Sequence, residues 1–208
     1  MPSGAEPLRD PWFARCPVAR EAGRPGEQVL TAVLSAEFPA GTVVDLPDDR
    51  RPTGWQVAVR SAPGGDRPQL VEVALPEAPL LWYVALPEPE ATTLVAFSDE
   101  RHPEGTVLDL EQAQAAGVAG EQQVAAVRWW SATGLVHQVY VQPASRRRGV
   151  AGKLVLAAFG VQAARGLPAV HGDGRRTELG EQWRAGLPGH VADRMAPWTE
   201  HVRPMTPA

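Results

Sequence analysis

Three consecutive arginines run directly into a glycine at Arg146–Gly149, in a chain of 208 residues whose formal net charge is −4. The pattern predicts a strand that ends near Val141, a turn, and a helix from near Arg148 to Arg165. The first turn of a helix presents backbone N–H groups without intrahelical partners and carries the positive end of the macrodipole. A glycine in that turn lets an anion approach the amides closely. The segment therefore predicts a pyrophosphate site.

The same segment resembles the acyl-CoA-binding motif of the GNAT superfamily of N-acyltransferases, which reads Arg or Gln, two residues, Gly, one residue, Gly or Ala. Here the motif is Arg146–Ala151, and Val141-Gln142-Pro143 matches the family's lead-in. The resemblance covers about residues 123–185 and implies acetyl-CoA, or another acyl-CoA, as co-substrate. It places the diphosphate on backbone amides at the helix start and the pantetheine arm along the preceding strand. The implied cofactor-binding residues are Val139, Val141, Arg146, Arg147, Arg148, Gly149, Val150, Ala151, Gly152 and Lys153.

Catalytic residues are less well marked. The resemblance implies that the thioester lies where the motif strand separates from the next strand, predicted at Pro168–Gly172, and that an amine attacks it directly in a ternary complex. His137, Tyr140 and His171 are the candidate acid and base near that point. On the residues alone, His137 also fits a core or edge histidine, Tyr140 a packing role and His171 a loop position. The carboxylate and the tyrosine that many members use have no counterpart at matching positions.

The elements that must position these residues divide the chain unevenly. Residues 1–27 predict an irregular N-terminal arm, and residues 28–118 predict a β-rich half of short strands joined as an antiparallel meander. Residues 119–208 read strand, strand, long helix, short strand, helix, which predicts a crossover with the helix lying on the sheet. We therefore predict an α/β (α+β) fold with a mixed, mostly antiparallel sheet. The two halves form either separate lobes or one continuous domain.

The composition excludes several functional classes. The chain lacks an extended basic face, which argues against a nucleic-acid binder, and no apolar run approaches the roughly 20 residues that cross a bilayer. Cys16 is the only cysteine, so an intrachain disulfide is impossible, and with no secretory signal pattern we expect a cytoplasmic protein. The histidines show no metal-ligand spacing, so no metal is predicted. Trp129 and Trp130 are predicted to point to opposite faces, one into the core and the other to an acceptor entrance or a homodimer contact.

Taken together, these features predict an N-acyltransferase that moves an acetyl or other acyl group to the amine of a small molecule or peptide. The alternative is a catalytically inactive module of the same fold that binds CoA or another protein.

Overall fold

Short strands precede one long helix in the computed structural model, which describes residues 10–18, 27–48, 50–62, 67–187, 192 and 195–202. The strands are β1 (Trp12–Pro17), β2 (Gln28–Val33), β3 (Val43–Asp45), β4 (Trp55–Ser61), β5 (Pro68–Val73), β6 (Trp82–Pro87), β7 (Ala91–Phe97), β8 (Val107–Leu108), β9 (Ala125–Trp130), β10 (Val136–Val141), β11 (Arg175–Arg176) and β12 (Glu200–His201). The α-helices are α1 (Leu110–Ala115), α2 (Val150–Ala164) and α3 (Glu178–Ala185). Two 3-10 turns cover Gly120–Gln122 and Pro143–Ser145.

The strands of the described residues form two five-stranded sheets and one two-stranded sheet. Sheet A has the order β3-β1-β2-β4-β5, and sheet B has the order β10-β9-β7-β6-β8. Neighbours in these two sheets are antiparallel except for the pairs β1–β3 and β6–β8, and the two-stranded sheet pairs β11 with β12 in parallel. The predicted class, mixed and mostly antiparallel, is confirmed. Two separate sheets replace the predicted single one because β5 and β8 meet only through the Leu70–Thr106 bridge and the bond from Val71 N–H to Gly105 O (2.7 Å).

Helix α2 lies between the two sheets. Toward sheet A it has Gly160, where an added β-carbon would lie 2.6 Å from a Val57 methyl and 2.9 Å from a Val59 methyl. Toward sheet B, Gln162 accepts a hydrogen bond from the Trp129 indole at 2.9 Å, and both side chains are fully buried. A helix that is covered on both sides needs apolar residues around most of its circumference. The prediction that this helix lies on one sheet is therefore incomplete.

The N-terminal arm predicted for residues 1–27 is wrong where the structure describes it. Trp12, Ala14 and Cys16 alternate as buried residues of β1 and pack with Val33 in a small cluster on the outer face of sheet A. Burial that alternates with a period of two is typical of a strand. Here the strand has six residues, because Pro11 precedes it and Pro17 ends it, and so short a pattern does not predict a strand from the sequence. The rest of the predicted arm, residues 1–9 and 19–26, lies outside the described residues.

The predicted boundary between residues 118 and 119 separates strands that belong to one sheet. Ala91–Ala96 of β7 pairs with Ala125–Trp130 of β9, so the β-rich half supplies the centre of sheet B. The predicted strand at Pro168–Gly172 is reduced to single bridges, one from His171 to Leu135 and one from Gly172 to Met195. Among the described residues, no helix is both long enough and apolar enough to span a membrane.

Candidate functional site

The turn between β10 and α2 has an unusual backbone. Arg147 has φ +59° and Gly149 has φ +77°, so two of the residues that lead into the helix are left-handed. For a residue with a β-carbon this conformation costs about 1 kcal/mol or more. Gly149 is the N-cap of α2, and no side chain caps the helix there.

The turn leaves a run of backbone amides open. The N–H groups of residues 147–152 donate to no acceptor within the described part of the chain. The next amide, that of Lys153, donates to Gly149 O at 3.0 Å and so begins the intrahelical pattern. Lys153 must therefore be removed from the predicted set of diphosphate-binding amides. Val150 is buried and Ala151 and Gly152 are half-buried, so their amides lie at the edge of the protein surface.

The three arginines do not act together. The Arg146 Nε donates to the carbonyl of Val141 at 3.1 Å, so this guanidinium closes the end of β10 rather than lying free beside the amides. Arg147 and Arg148 are exposed, and neither forms an ion pair with any residue that the structure describes. Two cationic side chains thus remain available at the start of the helix.

The packing around residue 149 requires a glycine there, which the sequence alone did not indicate. A β-carbon at this position would lie 3.0 Å from the Ala78 β-carbon, and Leu75 is within 3.7 Å of the same point. The segment between β5 and β6 therefore packs against the turn. The prediction that Gly149 serves the close approach of an anion is not needed to explain the glycine, because its positive φ and this contact already require it.

The strand edge beside the turn is open along half of its length. β10 pairs with β9 on one side, while on the other side Val136 N–H donates to His171 O (2.8 Å) and His171 N–H donates to Gly134 O (3.0 Å). The chain then leaves β10, because Gly172 pairs with Met195 instead. The edge from Val139 to Val141 has no strand partner among the described residues. The result is a notch between β10 and the segment that follows α2.

Strict alternation along β10 predicts that His137 shares a face with Val139 and Val141, but the structure has it on the other face of the sheet. A β-bulge between Val136 and Gln138 interrupts the alternation, so His137 no longer shares a face with Val139 and Val141. Its ring is exposed and contacts Trp130 edge-on, with centroids 5.5 Å apart. Of the two packing roles expected for His137, the structure shows the edge histidine and not the core one, because an extra residue in one strand shifts the side chains to the opposite face.

Tyr140 and His171 flank the notch from different directions. Tyr140 pairs with Ala126 on the face of sheet B that points away from α2, so its side chain and the open amides lie on opposite faces. His171 is half-buried, with Nδ1 3.2 Å from the carbonyl of Ala169, and its backbone contacts the start of β10. The main chains of Tyr140 and His171 both border the notch, and of these two His171 is the candidate whose side chain is not placed on the opposite face from the open amides.

Two other ionisable groups are unsuited to proton transfer. Tyr83 is fully buried, and burial, with a smaller contribution from the Glu104 charge, raises the pKa of its phenol far above the usual range. Hydrogen bonds from Arg128, and then from Thr93, lower the pKa of Glu88 to about 2, so this carboxylate is a weak base. No group of three or more His, Cys, Asp or Glu residues within the described residues is arranged to hold a metal ion.

A buried ion pair below the turn was missed from the sequence. Lys153 has 2% of its side chain exposed, and its ammonium group donates to Glu104 and to the carbonyl of Pro79 at 3.0 Å. This lysine thereby ties the start of α2 to the loops that follow β5 and β7. The one available signal was a single lysine within an otherwise apolar helix. Nothing in the spacing identified its partner, which lies 49 residues away.

No protein-family model matches the chain, no curated protein is significantly similar to it in sequence, and no solved structure is significantly similar to its fold.

Proposed function

We propose that the protein is an acyl-CoA-dependent N-acyltransferase that transfers an acetyl or other acyl group to an amine. The observation that carries this proposal is the run of open amides at residues 147–152, beside the exposed side chains of Arg147 and Arg148. Amides that converge at a helix start, with cationic side chains next to them, suit a diphosphate. The resemblance of Arg146–Ala151 to the GNAT motif selects acyl-CoA among diphosphate ligands.

The charges around the helix starts support an anionic ligand at α2. Helix α1 is capped by Asp109 and α3 by Thr177, and each has glutamate in its first turn. Helix α2 has neither a side-chain cap nor an acidic residue there, and arginines precede it. Positive side chains near the positive end of a macrodipole are unfavourable, and a bound anion removes that cost. The arrangement is therefore more consistent with binding than with stability of the free protein.

We assign the proposed reaction to the notch between β10 and the segment that follows α2. The pantetheine arm would lie along the edge from Val139 to Val141, competing with Arg146 for the Val141 carbonyl. The amine nitrogen attacks the thioester carbonyl carbon, the C–S bond breaks, and the thiolate leaves with a proton. A backbone N–H of β10 polarises the carbonyl, and His171 is the candidate for the proton of the attacking amine. Trp130 and His137 lie on the outer face, where they remain candidates for acceptor or dimer contacts.

A catalytically inactive CoA-binding or protein-interaction module is the second candidate. It is favoured by the lack of a carboxylate on β10, the strand that borders the notch.

Binding is tested by isothermal titration with acetyl-CoA on the wild-type protein and on an Arg147→Glu/Arg148→Glu double variant. We expect the double variant to lose at least about 100-fold in affinity, because two charges are reversed beside the diphosphate. Arg50→Glu is the matched control, since Arg50 is also exposed but lies in the β3–β4 loop. Gly149→Glu is avoided, because its positive φ and the Ala78 contact would strain the fold itself.

Turnover is tested by following free thiol release from acetyl-CoA across a panel of amines. Amine-dependent release supports the transferase, whereas binding without release for any amine supports the inactive module. If the wild-type protein does not bind acetyl-CoA, the transferase and the CoA-binding module are both wrong, and only the protein-interaction module is left. If the double variant binds acetyl-CoA as well as the wild type does, the diphosphate site is not at these arginines.

A further inference from the structure

A cleft of about 870 Å³ lies between sheet A and the C-terminal end of α2. Its volume is within the range of small-molecule sites, roughly 300–1,000 Å³. The first residue of α2 that lines the cleft is Phe159, seven positions after Gly152, so at ~1.5 Å per residue the cleft begins about 10 Å along the helix from the last open amide, and the two regions share no lining residue. The cleft is therefore separate from the proposed diphosphate site.

The wall that sheet A contributes can be read from the strand register. Arg15 lies opposite Leu30, and Leu30 lies opposite Val59, so these three side chains share a face. Val59 contacts α2 at Gly160, which identifies this face as the inner one. An arginine therefore occupies the inner face of the sheet, where the other two members of its row are apolar.

The next row of the same face is polar. Gln28 lies opposite Ser61. Gln28 is two positions from Leu30 along β2, and Ser61 is two positions from Val59 along β4, so all four side chains share the inner face. Ser61 is 4% exposed, and its hydroxyl has no hydrogen-bond partner among the described residues. With Arg15, this places a guanidinium, an amide and a hydroxyl at one end of the cleft, all of which donate hydrogen bonds.

Arg15 is held only weakly by the protein. Among the residues that the structure describes, its ion-pair partner is Asp45, with Nη1 3.3 Å from Oδ1, and the two side chains are 44% and 76% exposed. Exposed pairs of this kind contribute little, about 0–1 kcal/mol. The guanidinium fork can therefore receive a second carboxylate at small cost.

The other end of the cleft is apolar. Phe13 and Phe159 face each other with centroids 6.4 Å apart and planes at 21°, and Leu30 and Val59 continue the wall. Leu167, which is 37% exposed, lies at the rim. This surface suits an aromatic or alkyl body rather than a polar one.

The remaining charges of the lining do not change this conclusion. Arg165 also lines the cleft and donates to Thr92 at 2.9 Å, while Asp10, the acidic residue of the lining, already has a protein partner. Two arginines and one aspartate give the cleft a positive balance.

We propose that this cleft binds a small organic carboxylate with an aromatic or alkyl body, whose carboxylate is held by Arg15, Gln28 and Ser61. The ring or chain lies against Phe13, Phe159 and Leu30. The site is independent of acyl-CoA binding at the other end of α2.

The test is titration calorimetry with 4-phenylbutyrate and octanoate against their uncharged counterparts, 4-phenylbutan-1-ol and 1-octanol. We expect both carboxylates to bind the wild-type protein, and each alcohol to bind at least about tenfold more weakly, because it forms no charge-assisted bond. Arg15→Met should reduce carboxylate affinity to that of the alcohol, with Arg50→Met unchanged as the matched control. Ser61→Ala should lower carboxylate affinity about fivefold and leave the alcohols unaffected.

Two outcomes overturn the proposal: no binding of either carboxylate to the wild-type protein, or equal carboxylate binding by Arg15→Met and the wild type. Circular dichroism checks that each variant is folded. If Arg15→Met does not fold, Ser61→Ala still tests the site, because it removes only a hydroxyl without a hydrogen-bond partner among the described residues. A parallel acetyl-CoA titration separates this result from the proposed function, because Arg15→Met should bind acetyl-CoA as the wild type does.

Discussion

Helices α2 and α3 begin in opposite ways. Thr177 Oγ1 accepts a hydrogen bond from Gly180 N–H (3.1 Å) at the start of α3, and Glu178 and Glu181 complement its macrodipole. None of the residues of α3 is fully buried. Helix α2 has no side-chain cap, but Val150, Leu154, Ala157 and Val161 are buried between the sheets.

The difference shows that a helix start can be held either by its own cap or by the rest of the protein. Helix α3 has little packing and depends on local bonds, whereas α2 is fixed by the two sheets and by Lys153. Because packing holds α2 in place, its first amides need not be satisfied by a side chain. They can remain open for a ligand.

The largest effect is expected from Lys153→Met, which removes the buried charge that fixes the start of α2. Breaking a buried pair costs about 3–5 kcal/mol, and we expect about 2–3 kcal/mol here because Glu104, at 39% exposure, can be hydrated. Urea denaturation measures the loss. Arg175→Met, which breaks an exposed pair with Glu200, should cost less than about 0.5 kcal/mol. Equal effects of the two variants would mean that the pair between Lys153 and Glu104 does not fix the start of α2.

Gly160→Ala should come next. The new methyl group meets Val57 and Val59, and overpacking of this kind costs about 1–3 kcal/mol, partly offset by the better helix propensity of alanine. Gly152→Ala is the control in the same helix, because its β-carbon finds ordinary contacts at 3.7 and 4.0 Å and should stabilise the protein by up to about 1 kcal/mol. The two free energies of unfolding should have opposite signs. A stabilising Gly160→Ala contradicts the close packing of α2 on sheet A.

Thr177→Ala removes the cap of α3 and should cost about 1 kcal/mol, mostly as local opening. Amide hydrogen exchange should accelerate in Glu178–Ala185 and stay unchanged in Val150–Ala164. Thr177→Ser keeps the hydroxyl and should exchange as the wild type does. Faster exchange in both helices would show that α3 depends on more than its own cap.

The smallest effect separates stability from binding. Arg148→Glu should stabilise the ligand-free protein by about 0.3–1 kcal/mol at low salt, because a carboxylate replaces a cation near the positive end of α2. The gain should fall in high salt, which screens exposed charges. Thermal unfolding at two salt concentrations measures it, with Arg50→Glu as the unaffected control. A lower melting temperature at low salt would show that the arginine contributes to stability.

Local sequence patterns predicted a β-rich first half and the mostly antiparallel class, because period-two alternation and turn residues act over a few positions. The pattern could not show that Trp12–Pro17 is a strand, since the five residues between Pro11 and Pro17 carry too little signal. It also missed the pair between Lys153 and Glu104, which depends on how distant loops meet. The bulge at His137 reversed the predicted face of that residue, because one inserted position changes a register that alternation assumes to be constant.

The place of α2 in the chain affects how the protein is made. Ten strands, β1 to β10, leave the ribosome before Val150–Ala164 does. Until then, the valines and aromatic residues of both inner faces have no helix to pack against. The nascent polypeptide therefore exposes them to water and to chaperones. The core between the two sheets can therefore close only after Val150–Ala164 has been synthesised, because this one helix fills the space between them.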